Sequence, residues 1–134
     1  MADTLLPSGA RVPPHDLDAE AAVLSAIFLE AASFDRVQDT LEPEHFYADA
    51  NRRIYEALVD LRLTGQPVDV VLVANWLRDR GRLAQVGGTP YLAQIADATP
   101  AVSNIEEHAL IVTQKWRLRA VIQTTMQAQA EAYA

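Results

Sequence analysis

The spacing of hydrophobic residues predicts an α-helix near the start of the chain. From Asp16 onward, apolar residues recur at steps of three and four, the spacing that places side chains on one helix face. These residues are Leu17, Ala21, Leu24, Ile27 and Phe28. Asp16 is expected to cap the helix by accepting hydrogen bonds from its first amide groups, and Asp18 and Glu20 suit the positive end of the helix dipole.

Two patterns in the next stretch predict a short helix and a longer amphipathic one. Ser33 is a candidate cap for the short helix, which would end before Pro43 and be followed by a single turn over 43–46. The longer helix is predicted over 49–64. The buried positions would be Phe34, Val37 and Leu41 in the first helix, and Ile54, Ala57, Leu58 and Leu61 in the second. The exposed face of the second helix would carry Asn51, Arg52, Glu56 and Asp60.

The valine-rich stretch that follows is open to two interpretations. After an extended connector over 66–68, Asp69 would cap a helix that runs to Gly81. The apolar positions of this helix would be Val70, Val73, Ala74 and Leu77. Residues 68–73 would also suit a β-strand, but a single strand without a partner is not stable. The helix is therefore favoured.

Two further helices are predicted before the chain ends. Gly87-Gly88 makes a break, Thr89 is a candidate cap, and Pro90 would occupy the first helical position, where the absence of an N–H costs nothing. Pro100 would close this helix, whose apolar face comprises Tyr91, Leu92, Ile95 and Ala96. The last helix would begin at Ser103, which forms a capping-box pattern with Glu106.

The last helix is too long for a domain of this size. No glycine or proline interrupts residues 102–134, and about 30 residues make a helix roughly 45 Å long. Its later turns should therefore leave the globule unless they find a partner. The apolar positions that continue there are Leu118, Val121, Ile122, Thr125 and Met126. This stripe indicates an incomplete helical hairpin or an oligomer surface.

Length and composition complete the predicted architecture. The chain has 134 residues, half of them apolar, which is typical of one folded domain. We expect an all-α protein with a flexible leader over 1–15, a compact orthogonal multi-helix head over 16–102, and one long helix over 103–134. The chain has no cysteine, no apolar run long enough for a membrane span, and no signal-peptide pattern. A cytoplasmic protein without membrane contact is the simplest expectation.

The charge is unevenly distributed along the chain. Residues 1–64 carry twelve acids and five arginines, which gives −7, whereas residues 65–134 carry six acids and six bases. Nucleic-acid binding draws most of its affinity from neutralised phosphates, and an acidic surface repels them. Direct DNA binding is therefore disfavoured.

The sequence predicts no catalytic, metal-binding or nucleotide-binding motif. The single lysine, Lys115, has no glycine near it, so a phosphate-binding loop is absent. The three histidines do not share a metal-ligand spacing, and Gly87-Gly88 is better explained as a tight turn than as an anion site. Two glutamate pairs, 106–107 and 42 with 44, could serve acid–base chemistry in a small hydrolase, but surface carboxylates explain them more simply.

One basic and aromatic cluster lies in the last helix. Lys115, Arg117 and Arg119 flank Trp116 and could contact a nucleotide base or phosphate, but cations on two sides of a helix more often form ion pairs, which is the favoured interpretation. His45 is expected to be a packed or capping side chain and not a general base.

An ordered set of short motifs resembles the N-terminal domain of the bacterial replicative DNA helicase, the DnaB family. The similarity covers residues 12–134 in the correct order and spacing. The motifs are the opening Pro13-Pro14-His15-Asp16-Leu17-Asp18-Ala19-Glu20-Ala21-Ala22-Val23-Leu24, the turn Glu44-His45-Phe46-Tyr47, the connector Gly65-Gln66-Pro67-Val68-Asp69, the segment Gly87-Gly88-Thr89-Pro90-Tyr91-Leu92, and the helix entry Thr99-Pro100-Ala101-Val102-Ser103-Asn104-Ile105. Glu44 and His45 depart from the commonest form of the family's turn.

The resemblance implies a noncatalytic collar domain. In the family, a helical head is followed by a hairpin of two long helices that pairs protomers into dimers, and three dimers form a ring. The ring stacks on a motor domain that binds ATP, magnesium and DNA. Since Ala134 falls in or at the end of the first hairpin helix, we expect no cofactor and no helicase activity in this chain. DNA would be contacted only through the motor domain.

The resemblance also suggests partners and contact residues. The expected partners are a second copy of the chain, the C-terminal domain of primase and a helicase loader. Asp18, Tyr91 and Ile122 fall at positions near the family's primase contact, and the candidate oligomer interface comprises Leu118, Ile122 and Met126. The alternative from another class is a DNA-binding helix-turn-helix formed by the short helices around Gly81 or Gly87, against which the acidic charge and the single lysine argue.

Overall fold

The computed structural model describes residues 11–98 and 102–134, and these contain helices and no β-strand. The predicted all-α class is therefore confirmed. The α-helices are α1 (Leu17–Leu29), α2 (Asp49–Leu63), α3 (Val70–Asp79), α4 (Gly88–Asp97) and α5 (Ile105–Tyr133). Short 3-10 helices lie at Ala31–Arg36, Pro43–His45, Ala84–Val86 and Val102–Asn104.

Two of the predicted caps are confirmed by their hydrogen bonds. The Asp16 carboxylate accepts a hydrogen bond from the Ala19 amide at 2.9 Å, and Asp69 accepts one from the Leu72 amide at 2.8 Å. Each side chain satisfies an amide that the helix itself leaves without a partner. The cap at Asp69 also decides between the two interpretations of the valine-rich stretch, which is helical.

Three other predicted caps are wrong. Ser33 lies inside a 3-10 helix, is buried, and donates its hydroxyl to the Ala26 carbonyl oxygen at 3.3 Å. Thr89 lies within α4, which begins at Gly88, and the residue before the helix is Gly87 in a left-handed conformation with φ of 95°. Ser103 belongs to the 3-10 turn before α5, and Glu106 pairs with Arg36 instead of completing a capping box. Pro100 lies outside the described residues.

The core is built around α1. This helix packs against α2, α4 and α5, and most of its residues from Ala19 to Ile27 are buried. The largest fully buried side chains are Tyr55, Phe46, Leu24, Ile27, Leu41, Ile54, Leu58, Leu77, Leu92 and Ile105. Tyr55 satisfies its buried hydroxyl by donating to the Leu41 carbonyl oxygen at 2.9 Å. Asn51, predicted on the exposed face of α2, is only 1% exposed.

The long final helix is confirmed at 29 residues. Its first half packs on the head through Ile105, Ala109 and Val112, which are all buried. From residue 121 to residue 134 every residue is exposed. In residues 11–15, the described end of the predicted leader, Pro14 accepts a hydrogen bond from Arg119 of α5 and His15 stacks on Tyr47.

Candidate protein-docking site

Arg119 joins three separate parts of the chain. From α5, one guanidinium nitrogen donates to the Pro14 carbonyl oxygen at 2.8 Å, and another donates to the His45 carbonyl oxygen at 2.9 Å. The guanidinium carbon also lies 5.3 Å from the centre of the Tyr47 ring, within cation–π range. Burial lowers the pKa of Arg119, although the nearby Glu20 carboxylate opposes that shift. Arg119 thus holds the N-terminal segment and the turn at 43–45 against α5.

His45 is a packed and capping side chain, as predicted. Its Nδ1 accepts a hydrogen bond from the Glu42 amide at 2.9 Å, and its ring meets the Trp116 ring edge-on with centroids 4.7 Å apart. Burial lowers the pKa of His45, a shift opposed by the charges of Glu44 and Glu42 and supported by Arg117 and Arg119. The neutral imidazole is the form that this contact requires, because only an unprotonated Nδ1 can accept the bond.

Within the described ranges, the basic cluster around Trp116 does not form the predicted ion pairs. Among the described residues, ion pairs involve Arg36, Arg52, Arg53, Arg62 and Arg82, and none involves Lys115, Arg117 or Arg119. Arg119 instead uses two of its donors on backbone carbonyl groups. The prediction failed because these carbonyls come from distant parts of the sequence and leave no trace in the spacing of charged residues.

An open groove of about 1050 Å³ lies beside this junction. Val12, Trp116, Ile122 and Met126 supply apolar surface, and charged groups come from Arg11, Arg52, Arg119 and Glu44. The aromatic neighbourhood is extended by His15, whose ring stacks on Tyr47 with centroids 4.3 Å apart. A concave surface lined by both apolar and charged side chains is suited to binding another protein.

The candidate oligomer residues share one exposed face of α5. Leu118, Ile122 and Met126 are 50%, 42% and 63% exposed. Residues four positions apart lie on the same side of a helix, so these three form a continuous apolar stripe. Val121, which is 59% exposed, widens the stripe.

Two of the candidate partner residues lie elsewhere on the head. Asp18 is exposed in the first turn of α1, and Tyr91 is half-buried on α4. Ile122 lines the groove. No hydrogen bond or ion pair among the described residues connects these three candidates with one another.

Tyr91 is the first member of a series of hydrogen bonds that continues through Asn51 to Glu20, and the sequence did not predict this series. Its hydroxyl donates to Asn51 Oδ1 at 2.7 Å, and Asn51 Nδ2 donates to Glu20 at 3.0 Å. Glu20, only 1% exposed, also accepts bonds from the backbone amides of Tyr47 at 2.7 Å and Ala48 at 3.3 Å. A usable signal was that Glu20 has no basic residue four positions away and is surrounded by small and apolar residues.

The glycine pair at the start of α4 forms a turn, as predicted. Gly87 and Gly88 both have positive φ, of 95° and 71°. The nearby Arg82 pairs with Glu56 at 3.2 Å. A Cβ atom at Gly87 would lie 3.0 Å from the Cβ of Tyr91, so the turn also sets how closely the backbone approaches that tyrosine.

The part of the chain that the structure describes contains neither a candidate metal site nor a candidate membrane-spanning helix. Across residues 11–98 and 102–134, no cluster of three or more histidine, aspartate or glutamate side chains is placed to hold a metal ion. Over the same ranges, no helix combines the length and apolar character that crossing a membrane requires.

Comparison with known proteins gives consistent similarities. A family model described as the DnaB-like helicase N terminal domain matches residues 12–114. The replicative DNA helicase DnaB of Geobacillus stearothermophilus is 38% identical over 123 residues, which is 92% of this chain and 27% of that protein. The chain thus spans about a quarter of the length of such curated relatives.

Two solved structures have the same fold. The N-terminal domain of DnaB helicase from Mycobacterium tuberculosis aligns with a TM-score of 0.87 and 35% identity, covering 91% of this chain and 87% of that one. A DnaB-like replicative helicase, described together with its interactions with primase, aligns with a TM-score of 0.74 and 28% identity. That alignment covers 88% of this chain and 28% of the other.

Proposed function

The chain belongs to the DnaB family of replicative helicases, whose N-terminal domain it matches, and from this we propose that it pairs helicase protomers and docks primase during DNA replication. The domain itself is noncatalytic. Ring assembly would follow from the pairing of protomers through α5.

The exposed end of α5 is the observation that carries the assembly role. Residues 121–134 are exposed throughout, yet Leu118, Val121, Ile122 and Met126 keep an apolar stripe on this part of the helix. Burying one large apolar side chain contributes about 1.5–3 kcal/mol, so covering this stripe would be favourable. A second long helix, from the same polypeptide or from another protomer, is the proposed cover.

The docking role is supported by the groove and by the family. The groove beside Trp116 is lined by apolar and charged side chains, and Ile122 belongs both to it and to the exposed stripe. One structural relative is described with its interactions with primase. We propose Asp18, Tyr91 and Ile122 as contacts to the primase C-terminal domain. A helicase loader is a further proposed partner.

We propose that the remaining activities of the helicase family belong to a motor domain outside these 134 residues. We propose that ATP and magnesium bind in the motor domain of the full-length helicase, and that DNA is contacted there. The net charge of −7 disfavours a DNA-binding role for this chain. The proposed location is the cytoplasm, at the replication machinery.

Calorimetric titration with the primase C-terminal domain from the same organism tests the docking proposal. The unaltered chain should bind, and Ile122→Asp should weaken binding at least about tenfold, because a charge would enter the apolar surface. Leu110→Asp is the matched control, since Leu110 is 51% exposed on the same helix but does not line the groove. Absence of binding by the unaltered chain, or salt-sensitive binding to DNA, would contradict the proposed function.

A further inference from the structure

The hydrogen bonds that join Tyr91, Asn51 and Glu20 can be donated in only one direction. An ionised carboxylate accepts hydrogen bonds and cannot donate them. Glu20 receives three N–H donors, from Asn51 Nδ2 and the amides of Tyr47 and Ala48. The amide nitrogen of Asn51 must therefore face Glu20, which leaves its Oδ1 facing Tyr91.

This direction determines what Tyr91 can offer to another molecule. Because Asn51 Oδ1 is an acceptor, the single hydroxyl proton of Tyr91 is used inside the protein, over a distance of 2.7 Å. A phenolic oxygen that donates its proton retains lone pairs that accept. No other donor among the described residues forms a hydrogen bond with that oxygen.

We infer that Glu20, acting through Asn51, makes the Tyr91 oxygen an obligate acceptor, and that Tyr91 accepts a hydrogen bond from an N–H or O–H donor of the primase C-terminal domain. The inference rests on the proposed docking function. It adds two buried positioning residues to that function and a chemical requirement on the partner.

The acceptor is also held in place before any partner arrives. Asn51 is 1% exposed and engaged at both ends of its amide, so its rotamer cannot change without leaving a buried group unpaired. Gly87 also lies close to Tyr91, since a Cβ added at Gly87 would come within 3.0 Å of the Tyr91 Cβ. A side chain positioned in this way loses little conformational entropy on binding.

Three variants test the inference by titration with the primase C-terminal domain. Tyr91→Phe removes the acceptor and should weaken binding by about tenfold. In Glu20→Gln the introduced amide group can donate to Asn51, so that Asn51 can turn and donate to Tyr91; binding should weaken severalfold although the tyrosine remains. Tyr55→Phe is the control, because it removes a fully buried hydroxyl far from any surface and should leave affinity unchanged.

A spectroscopic readout tests whether Glu20 acts on the Tyr91 hydroxyl. Burial raises the pKa of Tyr91, and the Glu20 charge raises it further. Carbon-13 NMR of labelled tyrosine should therefore show a lower pKa for Tyr91 in Glu20→Gln, with the chain still folded by circular dichroism. An unchanged Tyr91 pKa in that folded variant would overturn this action of Glu20.

The binding outcomes distinguish the two proposals. If the unaltered chain binds primase and Tyr91→Phe binds equally well, the acceptor inference is wrong and the docking function stands. If the unaltered chain does not bind at all, the proposed function fails and this inference fails with it.

Discussion

Arg119 donates a hydrogen bond to the backbone carbonyl of Pro14 across 105 positions of sequence. The same guanidinium reaches the His45 carbonyl, so one side chain of α5 secures both the entry to α1 and the turn before α2. The groove proposed for docking opens directly beside this junction, which makes the geometry of the groove dependent on Arg119.

Replacing Arg119 should loosen this junction. Arg119→Met keeps much of the side-chain volume but removes both donors, and the expected loss is about 1–3 kcal/mol of unfolding free energy. Urea denaturation followed by circular dichroism measures it. Arg117→Met is the control, since Arg117 is exposed and forms no hydrogen bond or ion pair among the described residues. Equal stability of the two variants would contradict the assigned role of Arg119.

Stability should fall as the pH is lowered through the range in which His45 titrates. Burial lowers the pKa of His45 in the folded state below its ordinary value of 6.5, so the unfolded state binds more protons in this range. The stabilisation is present above pH 6.5 and is lost as the pH falls toward the folded pKa, with a slope no steeper than about 1.4 kcal/mol per pH unit.

Comparison with His45→Gln isolates this contribution. The glutamine oxygen can still accept from the Glu42 amide but does not titrate in this range. The difference in unfolding free energy between the original chain and the variant should shrink between about pH 7.5 and about pH 5. A difference that stays constant over that interval would show that His45 does not contribute.

Substitution of Gly87 should cost more than substitution of other turn glycines. In Gly87→Ala the new Cβ would lie 3.0 Å from the Tyr91 Cβ while the backbone is held at φ of 95°. The expected loss is about 2–4 kcal/mol, from left-handed strain together with steric overlap.

Gly65→Ala is the matched control for that variant. Gly65 has φ of 75° but nothing within 4 Å of its added Cβ, so only the conformational strain of about 1 kcal/mol applies. Thermal unfolding of both variants gives the comparison. A loss at Gly65 as large as that at Gly87 would mean that contact with Tyr91 adds nothing.

The exposed stripe of α5 should support weak self-association. At high protein concentration, sedimentation equilibrium is expected to show dimer formation through Leu118, Ile122 and Met126. Ile122→Asp should shift the population toward monomer by placing a charge in the stripe, whereas Leu110→Asp should not. A chain that remains strictly monomeric, with Ile122→Asp no more soluble than the original, would exclude this face as an oligomer surface.

The sequence by itself determined the features that depend on near neighbours. Helix faces follow from the three- and four-residue spacing of apolar positions, and the caps at Asp16 and Asp69 bond amides three residues away. The ordered motifs were also sufficient to identify the family. The helix faces, the two caps and the motifs each depend on a contiguous stretch of the sequence, which is why they could be predicted.

Only the tertiary structure decided which polar groups would be buried and with whom they would bond. Glu20 meets partners 27 to 31 positions away, and Arg119 meets carbonyls 74 and 105 positions away. Ser33 and Glu106 likewise do not form the predicted caps, and each instead bonds a residue of another segment. A buried polar group must be paired wherever the packing places it, and that placement depends on how the helices cross, which no local pattern encodes.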